Sequence, residues 1–268
     1  MIKKYRFLLA RRLTQVSIIA LYIAANVYGI NILMGNLSTS LVFETLTLSD
    51  PYAVLQMFFA GAVISFDILL GATIITLFYL IIGGRAFCSW VCPVNIITDF
   101  ANYLRTKFKF QQIEKKQPAS RNIRYWVIAT SFVISSFMGV AAFELISPVS
   151  MVHRGLVFGL GFGFATIFVI FLFDLFVLKN GWCGHICPLG GFYSLIGRFS
   201  LLRVHHEHNK CTSCMKCKVV CPEVQVLHMI SKSSEPVLQE CTNCARCIEV
   251  CDDDALNFSI RKYFKEKK

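Results

Sequence analysis

The sequence predicts a mainly α-helical membrane protein with four transmembrane helices and a small α+β domain at its C-terminal end. Composition and cysteine placement support this fold class. Of the 268 residues, 55% are hydrophobic and 16% are charged, which is more apolar sequence than a water-soluble domain of this length needs. Residues 201–268 are more polar and hold eight of the twelve cysteines. We therefore expect a membrane domain over residues 1–200 and a second domain over residues 201–268.

Four apolar stretches are each long enough to cross about 30 Å of hydrocarbon as a helix, which takes about twenty residues. They cover residues 16–34, 53–83, 125–146 and 156–178. The basic start followed by an apolar stretch also fits a cleaved signal peptide. No small-residue cleavage site follows, however, and the stretch has spanning length. We therefore expect the first helix to be retained.

The basic residues alternate between the segments that connect these stretches. Residues 35–52 contain no Lys or Arg, and residues 147–155 contain only Arg154. The N-terminal segment and the loop over residues 84–124 are rich in them: Lys3, Lys4, Arg6, Arg11, Arg12, Arg85, Arg105, Lys107, Lys109, Lys115, Lys116, Arg121 and Arg124. The positive-inside rule places both termini in the cytoplasm of a bacterium, with the chain crossing its inner membrane. Because the net charge of +11 is spread over alternate loops, it does not indicate nucleic acid as a partner.

Two C-x3-C-P motifs occupy equivalent places after the second and the fourth apolar stretch. They are Cys88, Cys92 and Pro93, and Cys183, Cys187 and Pro188. A repeat of two helices keeps both copies in one orientation, so the sequence predicts a duplicated two-helix unit with all four thiols at the cytoplasmic surface. Four thiolates at one depth can hold a third iron–sulfur cluster, two from each copy. The alternatives are a redox-active dithiol pair and a structural helix end stopped by proline.

The C-terminal domain contains the most specific motif in the chain, a C-x2-C-x2-C-x3-C run that occurs twice. The runs are Cys211, Cys214, Cys217 and Cys221, and Cys241, Cys244, Cys247 and Cys251. This spacing is typical of bacterial two-cluster ferredoxins, in which the fourth cysteine of each run binds the other cluster. We therefore expect one [4Fe-4S] cluster on Cys211, Cys214, Cys217 and Cys251. A second is expected on Cys241, Cys244, Cys247 and Cys221.

Zinc and disulfides account less well for the two runs. Structural zinc sites use two pairs of cysteines and not two linked runs of four, and disulfides are rare in the reducing cytoplasm. Pro222 follows the first run, but Asp252 replaces this proline in the second. Three further histidines, His205, His206 and His208, precede the runs and are expected to be solvated on a linker.

The chain resembles the NapH family of membrane-bound, ferredoxin-type quinol dehydrogenase subunits. The resemblance rests on the order of the four apolar stretches, the two C-x3-C-P motifs and the two four-cysteine runs. The resemblance implies oxidation of menaquinol or ubiquinol and electron transfer through a NapG-like iron–sulfur partner towards periplasmic nitrate reductase. The same apolar stretches and cysteine motifs also resemble the membrane cores of NosR and of CcoG-type assembly proteins. Copper reduction by an assembly factor is therefore an alternative function, and an iron–sulfur anchor or sensor without turnover is a third.

A quinol dehydrogenase needs groups that accept protons, and four residues are candidates. Asp67 lies near the middle of the second apolar stretch, where a charge costs at least about 2.5–3.5 kcal/mol. Its alternative role is a helix-packing hydrogen bond to Asn26 or Tyr22. Glu144 lies near the outer end of the third stretch and suits a proton exit.

The remaining two candidates lie near the second C-x3-C-P motif. Asp174 is expected near water at the inner end of the fourth stretch, where it suits a quinol bound on the cytoplasmic side. His185 lies inside the motif, where the first motif has Trp90. It suits proton transfer or a hydrogen bond to sulfur, and a satisfied interfacial histidine is the alternative.

Overall fold

The computed structural model describes residues 2–108, 122–159 and 162–261, and within them the chain is mostly helical. Four residues of the basic loop, Lys109, Lys115, Lys116 and Arg121, lie outside this part. The described α-helices are α1 (Ile2–Tyr28), α2 (Pro51–Phe59), α3 (Phe66–Ile82), α4 (Ala86–Trp90), α5 (Val94–Lys107), α6 (Ile123–Met138), α7 (Ala142–Ile146), α8 (Pro148–Phe158), α9 (Phe162–Leu172), α10 (Pro188–Gly197), α11 (Lys216–Val220) and α12 (Arg246–Glu249).

Two π-helical turns and two short 3-10 turns complete the helical structure described. The π turns cover Phe173–Val177 and Trp182–Ile186, and the 3-10 turns cover His208–Lys210 and Val224–Leu227. The strands are β1 (Leu33–Gly35), β2 (Thr39–Val42), β3 (Leu46–Ser49), β4 (Leu202–His206) and β5 (Leu256–Ile260). They form an antiparallel β1–β2–β3 sheet and a separate antiparallel β4–β5 pair.

One helix in the described residues is both long and apolar enough to cross a membrane. It covers Tyr5–Tyr28, with a mean hydropathy of 1.4 over its most apolar window. The other apolar helices are shorter, at Phe66–Ile82, Ile123–Met138 and Gly163–Val177. The structure thus confirms that the apolar stretches are helical. It does not confirm that each of them forms one helix of spanning length.

Glycines with positive φ explain why the predicted helices are interrupted. Gly29 and Gly159 directly follow the last residues of α1 and α8, Gly61 lies just after α2, and Gly139 caps α6. The φ values of Gly29, Gly61, Gly139 and Gly159 are 67°, 75°, 67° and 104°. Glycine adopts this left-handed conformation without steric cost, and it commonly ends helices. Apolar composition alone therefore overestimated the continuous helix in all four stretches.

The chain divides into two compact units. The first comprises the described parts of residues 1–13, 78–90 and 193–268. Its core contains Val204, Leu227, Met229, Ile230 and Leu256, and three buried cysteines belong to the same cluster: Cys217, Cys221 and Cys247. The start of α1 belongs to this unit, because the Glu249 carboxylate accepts hydrogen bonds from the Phe7 and Leu8 amides at 2.6 and 3.1 Å.

The second unit comprises the described parts of residues 14–77 and 91–192. Tyr52, which is 1% exposed, forms a hydrogen bond of 2.6 Å with Ser131 and packs its ring against Phe143. Nearby, the buried Gln56 side chain accepts a hydrogen bond of 2.9 Å from the Phe143 amide. These contacts join α2 to α6 and α7 around a core that contains both aromatic rings and hydrogen-bonded polar groups.

Candidate iron–sulfur sites

Two cavities in the first unit are each lined by four cysteines. The cavity that we call the Cys241 cavity is lined by Cys221, Cys241, Cys244 and Cys247. The Cys211 cavity is lined by Cys211, Cys214, Cys217 and Cys251. In each cavity, three thiols come from one run and the fourth comes from the other run. These are the two sets that the sequence predicts as ligands.

The backbone of the two cysteine runs has the same conformation at equivalent positions. Ser213 and Met215 have φ values of 60° and 59°, and Asn243 and Ala245 have values of 49° and 58°. Left-handed backbone is costly for residues other than glycine and persists where the surroundings impose it. Turns of this kind also direct backbone N–H groups into anion-binding concavities such as those of iron–sulfur sites. The donor set and the loop backbone therefore both fit a [4Fe-4S] cluster.

The cysteine thiols of these cavities are difficult to ionise without metal. Burial raises the pKa of Cys241 to about 12, and the neighbouring Cys244 contributes in the same direction. Burial also raises the pKa values of Cys217 and Cys247. Because the thiolate is the form that binds metal, iron must displace these protons, and cluster assembly is coupled to folding of the unit. All twelve cysteines lie in the described residues, and none forms a disulfide.

The first C-x3-C-P motif begins within the same unit as the Cys241 cavity. Ser89 donates a hydrogen bond of 2.6 Å to the Thr242 carbonyl, and the Trp90 indole donates one of 3.1 Å to the Asn243 carbonyl. Asn243 in turn donates to the Ile82 carbonyl at 2.7 Å. Since Thr242 and Asn243 lie between Cys241 and Cys244, the segment that carries Cys88 supports the loop that lines the Cys241 cavity.

Arg85 provides a charged connection between this segment and the Cys241 cavity. Its guanidinium forms an ion pair of 2.9 Å with Glu223, and the two side chains are 1% and 3% exposed. It also donates to the Glu240 carbonyl at 2.8 Å. Glu223 lines the cavity directly. The sequence pattern places Arg85 only in a basic loop, because its partner lies far away along the chain.

The remaining C-x3-C-P cysteines belong to the second unit. Cys92 is buried, and its carbonyl accepts a hydrogen bond of 3.2 Å from Gln15. Cys183 and Cys187 are half-buried, with Cys183 in the second π turn and Cys187 directly after it. Pro93 and Pro188 precede α5 and begin α10, so both prolines mark the start of a helix. A helical segment also ends shortly before each proline, at Trp90 and at Ile186, so the alternative of a structural helix end stays open.

Asp174 and His185 lie on the two π turns. Asp174 is fully buried, its Oδ1 accepts a hydrogen bond of 3.0 Å from the Trp182 amide, and its Oδ2 has no partner among the described residues. Arg105 donates to the Asp174 and Leu175 carbonyls at 3.2 and 3.3 Å. The expectation that water reaches Asp174 is therefore wrong in this structure. His185 is also buried, at 7% exposure.

Asp67 and Glu144 occupy more exposed positions. Asp67 lies in the first turn of α3 and is exposed, so its expected place in the middle of one long helix is wrong. A carboxylate at a helix start is favoured by the helix dipole. Glu144 lies in the first turn of α7 and accepts hydrogen bonds from Ser38 and Ser150. The predicted proton-handling residues are thus not brought together in one cluster by any described contact.

The structure also places two further residues singled out by the sequence, His206 and Asp252. His206, expected on a solvated linker, is fully buried in β4 and lines the Cys211 cavity. Its ring forms a hydrogen bond of 2.8 Å with the Ser233 carbonyl. Asp252, which replaces the usual proline, is exposed and forms an ion pair of 2.6 Å with Lys216.

The cysteine pattern and the two cavities define an iron–sulfur electron-transfer protein of the ferredoxin type. Comparison with protein families supports this class directly. A 4Fe-4S dicluster domain matches residues 203–252. A second family, described as a 4Fe-4S binding domain, matches twice, at residues 64–111 and 160–205. The double match covers both C-x3-C-P motifs and supports the predicted duplication.

The chain belongs to the NapH/MauN family of ferredoxin-type proteins. It is 42% identical over 228 residues to the methylamine utilization ferredoxin-type protein MauN of Methylorubrum extorquens, covering 85% of this chain and 78% of MauN. It is 43% identical over 223 residues to the ferredoxin-type protein NapH of Haemophilus influenzae, covering 83% and 77%. NapH of Escherichia coli is 42% identical over 239 residues, covering 89% and 80%. No solved structure matches the chain.

Proposed function

We propose that the protein is the membrane electron-transfer subunit of a quinol dehydrogenase. The observation that carries this proposal is the combination of two four-cysteine cavities with two C-x3-C-P segments that match a 4Fe-4S binding domain. Bound clusters would supply one-electron acceptors, and quinol oxidation releases two electrons and two protons. In this proposal, Cys211, Cys214, Cys217 and Cys251 hold one cluster, and Cys221, Cys241, Cys244 and Cys247 hold the other.

We infer four membrane spans, with both termini on the cytoplasmic side of the inner membrane of a bacterium. Large apolar side chains project from the apolar helices, including Leu77 of α3 at 54% exposure, Phe137 of α6 at 88% and Phe168 of α9 at 55%. Extended apolar surface of this kind is rare on water-soluble monomers and typical of membrane contact. Interrupted helices are tolerated in a membrane where other protein segments satisfy the backbone. Residues 1–200 would then form the membrane domain and residues 201–268 the cytoplasmic domain.

The proposed electron acceptor is a partner protein of the same electron-transfer system. Relatives named NapH and relatives named MauN are similar to this chain to the same degree, which supports a shared electron-transfer step. We propose transfer through a NapG-like iron–sulfur partner towards a periplasmic nitrate reductase. Copper reduction has less support, because His153 is buried and the Met151 sulfur accepts a hydrogen bond from Thr166. Met151 and His153 are the only Met or His residues in the segments 35–52 and 147–155, which the positive-inside rule places outside the membrane.

Asp174 is the proton acceptor that the structure favours among the four candidates. It combines complete burial, an unpartnered carboxylate oxygen and a direct hydrogen bond to the π turn of Cys183. We propose that a quinol binds beside this turn and that Asp174 receives one of its protons. Glu144 remains the proposed exit group, and Asp67 and His185 have supporting roles in proton transfer.

Adding a menaquinol analogue to the anaerobically purified protein should reduce its clusters, as followed by paramagnetic resonance. Asp174→Asn should slow this reduction by an order of magnitude or more, because the amide cannot take a proton. Dithionite, which needs no proton acceptor, should reduce the clusters of the variant at the wild-type rate. Glu44→Gln serves as the control for loss of an exposed carboxylate that has no proposed role in proton transfer. Intact wild-type clusters that menaquinol leaves oxidised would contradict the quinol proposal.

We further propose a third cluster shared by Cys88, Cys92, Cys183 and Cys187. Each [4Fe-4S] cluster contributes four iron atoms, so the wild type should hold about twelve and Cys88→Ala about eight. Iron and acid-labile sulfide are counted in both proteins after identical anaerobic purification. About eight iron atoms in both would contradict the third cluster. The cysteines would then act as a dithiol pair or as structural helix ends.

A further inference from the structure

One buried histidine of the second unit has no role in the mechanism proposed above. His153 of α8 is fully buried, and neither of its ring nitrogens has a hydrogen-bond partner among the described residues. The Tyr22 ring of α1 packs edge-on against it, with the ring centroids 4.6 Å apart. A buried polar atom without a partner costs about 1–3 kcal/mol. Proteins usually retain such groups for bound water, bound ions or chemistry.

Two serine hydroxyls connect the region of this histidine to Glu144. Ser150 precedes His153 by three residues on α8, so the two side chains lie on the same face of the helix. The Ser150 hydroxyl donates a hydrogen bond to Glu144 Oε1. The Ser38 hydroxyl donates to the same oxygen and lies 3.4 Å from the Ser150 hydroxyl. Ser150 is buried and Glu144 is half-buried, so these groups lead from the buried imidazole towards water.

A second connection runs through Tyr22 and the turn between β1 and β2. The Tyr22 hydroxyl donates to the Asn36 carbonyl at 3.2 Å. The side-chain oxygen of Asn36 accepts a hydrogen bond of 2.8 Å from the Ser38 amide, and the Ser38 hydroxyl leads back to the carboxylate. The residues of both connections belong to the second unit. We call them the Glu144 network: Tyr22, Asn36, Ser38, Glu144, Ser150 and His153.

Two further buried polar atoms flank the Glu144 network. Gln56 Nε2 and Ser49 Oγ have no hydrogen-bond partner among the described residues. Gln56 accepts a hydrogen bond from the amide that precedes Glu144 in the chain, and Ser49 of β3 pairs with the residue that follows Ser38. Buried polar groups of this kind are commonly satisfied by internal water. Because hydroxyl groups and water both donate and accept hydrogen bonds, the network is suited to proton transfer.

The surroundings of His153 favour its neutral form. Burial lowers the pKa of His153, and the positive charge of the adjacent Arg154 lowers it further. Of the helices that touch α8, α9 carries no ionisable residue, and α7 carries Glu144. α5 also touches α8 and carries four ionisable residues: Asp99, Tyr103, Arg105 and Lys107. A neutral imidazole that becomes charged only transiently can accept a proton and release it again.

We propose that His153 and Glu144 form a proton-release relay on the outer side of the protein. His153 binds a proton at a ring nitrogen, and the hydroxyls of Ser150 and Ser38 pass a proton on. The Glu144 carboxylate receives a proton and gives it to water. The imidazole and the carboxylate then return to their initial states, so one proton moves and no electron does. The relay rests on the proposed function, in which quinol oxidation supplies the proton, and it adds the buried donor to the exit group.

Proton release is measured in anaerobic proteoliposomes, with pH dyes on both sides of the membrane and a menaquinol analogue as the reductant. In His153→Gln, proton release on the side of Glu144 should slow about tenfold or more, because a relay group is lost. Reduction of the clusters by dithionite should stay at the wild-type rate. Ser150→Ala keeps both ends of the relay and should slow release by less, which tests the proposal even if His153→Gln fails to fold. His228→Gln is the control for loss of an exposed histidine of the first unit.

Nitrogen NMR of the protein with labelled histidine rings gives a readout that needs no turnover. Glu144→Gln removes a negative charge that favours the imidazolium, so the pKa of His153 should fall further in this variant. The His153 signal is assigned by its loss in His153→Gln. An unchanged His153 pKa in Glu144→Gln, or wild-type proton release in both His153→Gln and Ser150→Ala, would overturn the relay. Wild-type clusters that menaquinol leaves oxidised would contradict the proposed function, whereas the NMR measurement would still test the coupling of His153 to Glu144.

Discussion

Replacing Cys251 with alanine should abolish or alter the cluster of the first cysteine run, although Cys251 belongs to the second run. The reason is that Cys251 lines the same cavity as Cys211, Cys214 and Cys217. The resonance signal lost in Cys251→Ala should therefore be the one lost in Cys211→Ala. Removing one thiolate costs the cluster a quarter of its protein ligands, so the effect should approach complete loss of that signal.

Cys247→Ala is the matched control for this experiment, since Cys247 lies in the same run but lines the Cys241 cavity. It should eliminate the other signal. Because Cys247 also belongs to the buried core, it should lower the thermal stability of the first unit more than Cys251→Ala does. If Cys251→Ala and Cys247→Ala lost the same signal, each run would bind its own cluster and the crossed arrangement would be incorrect.

Gly84→Ala should prevent the first unit from folding correctly. A Cβ atom at Gly84 would lie closer than 3.0 Å to the Tyr193 carbonyl oxygen and to the Gly197 amide nitrogen. Cβ atoms in real structures essentially never approach other heavy atoms so closely. Both obstacles are backbone atoms, so no rotamer change can relieve the overlap. We expect a loss of about 3 kcal/mol or more, at the upper end of overpacking effects.

Thermal unfolding and iron retention in detergent measure the consequence, with Gly155→Ala as the control. A Cβ at Gly155 has its nearest neighbour, the Gly163 Cα, at an ordinary distance of 3.8 Å. Alanine is also a better helix former than glycine, so this variant should be as stable as the wild type or slightly more stable. Equal stability of Gly84→Ala and Gly155→Ala would contradict the close approach of α10 to Gly84.

Residue spacing predicted which cysteines share a cavity, because the spacing of the thiols within one loop is encoded locally. Three thiols two residues apart on one loop leave the fourth, such as Cys221 or Cys251, to reach the neighbouring centre. The four cysteines that line each cavity agree with this expectation. The resemblance to the NapH family is also confirmed, by relatives that match most of the chain.

Predictions that depended on helix continuity or on distant contacts were less accurate. Hydropathy does not register a single left-handed glycine such as Gly61, so Asp67 was expected in mid-helix instead of at a helix start. The contacts of Arg85 with Glu223, and of Trp90 with Asn243, join residues more than a hundred positions apart. No local pattern encodes such pairs. The one sequence feature that could have pointed to these contacts is the position of Arg85 just before the first C-x3-C-P motif.

The membership of residues 78–90 in the first unit has a consequence for biosynthesis. This segment leaves the ribosome well before the cysteine runs that it contacts, by on the order of ten seconds at about 5–20 residues per second. During that interval, Arg85 and Trp90 lack their final partners. Maturation with iron should therefore follow synthesis of the second cysteine run, and a chain truncated before Glu223 should be degraded because its first unit cannot fold.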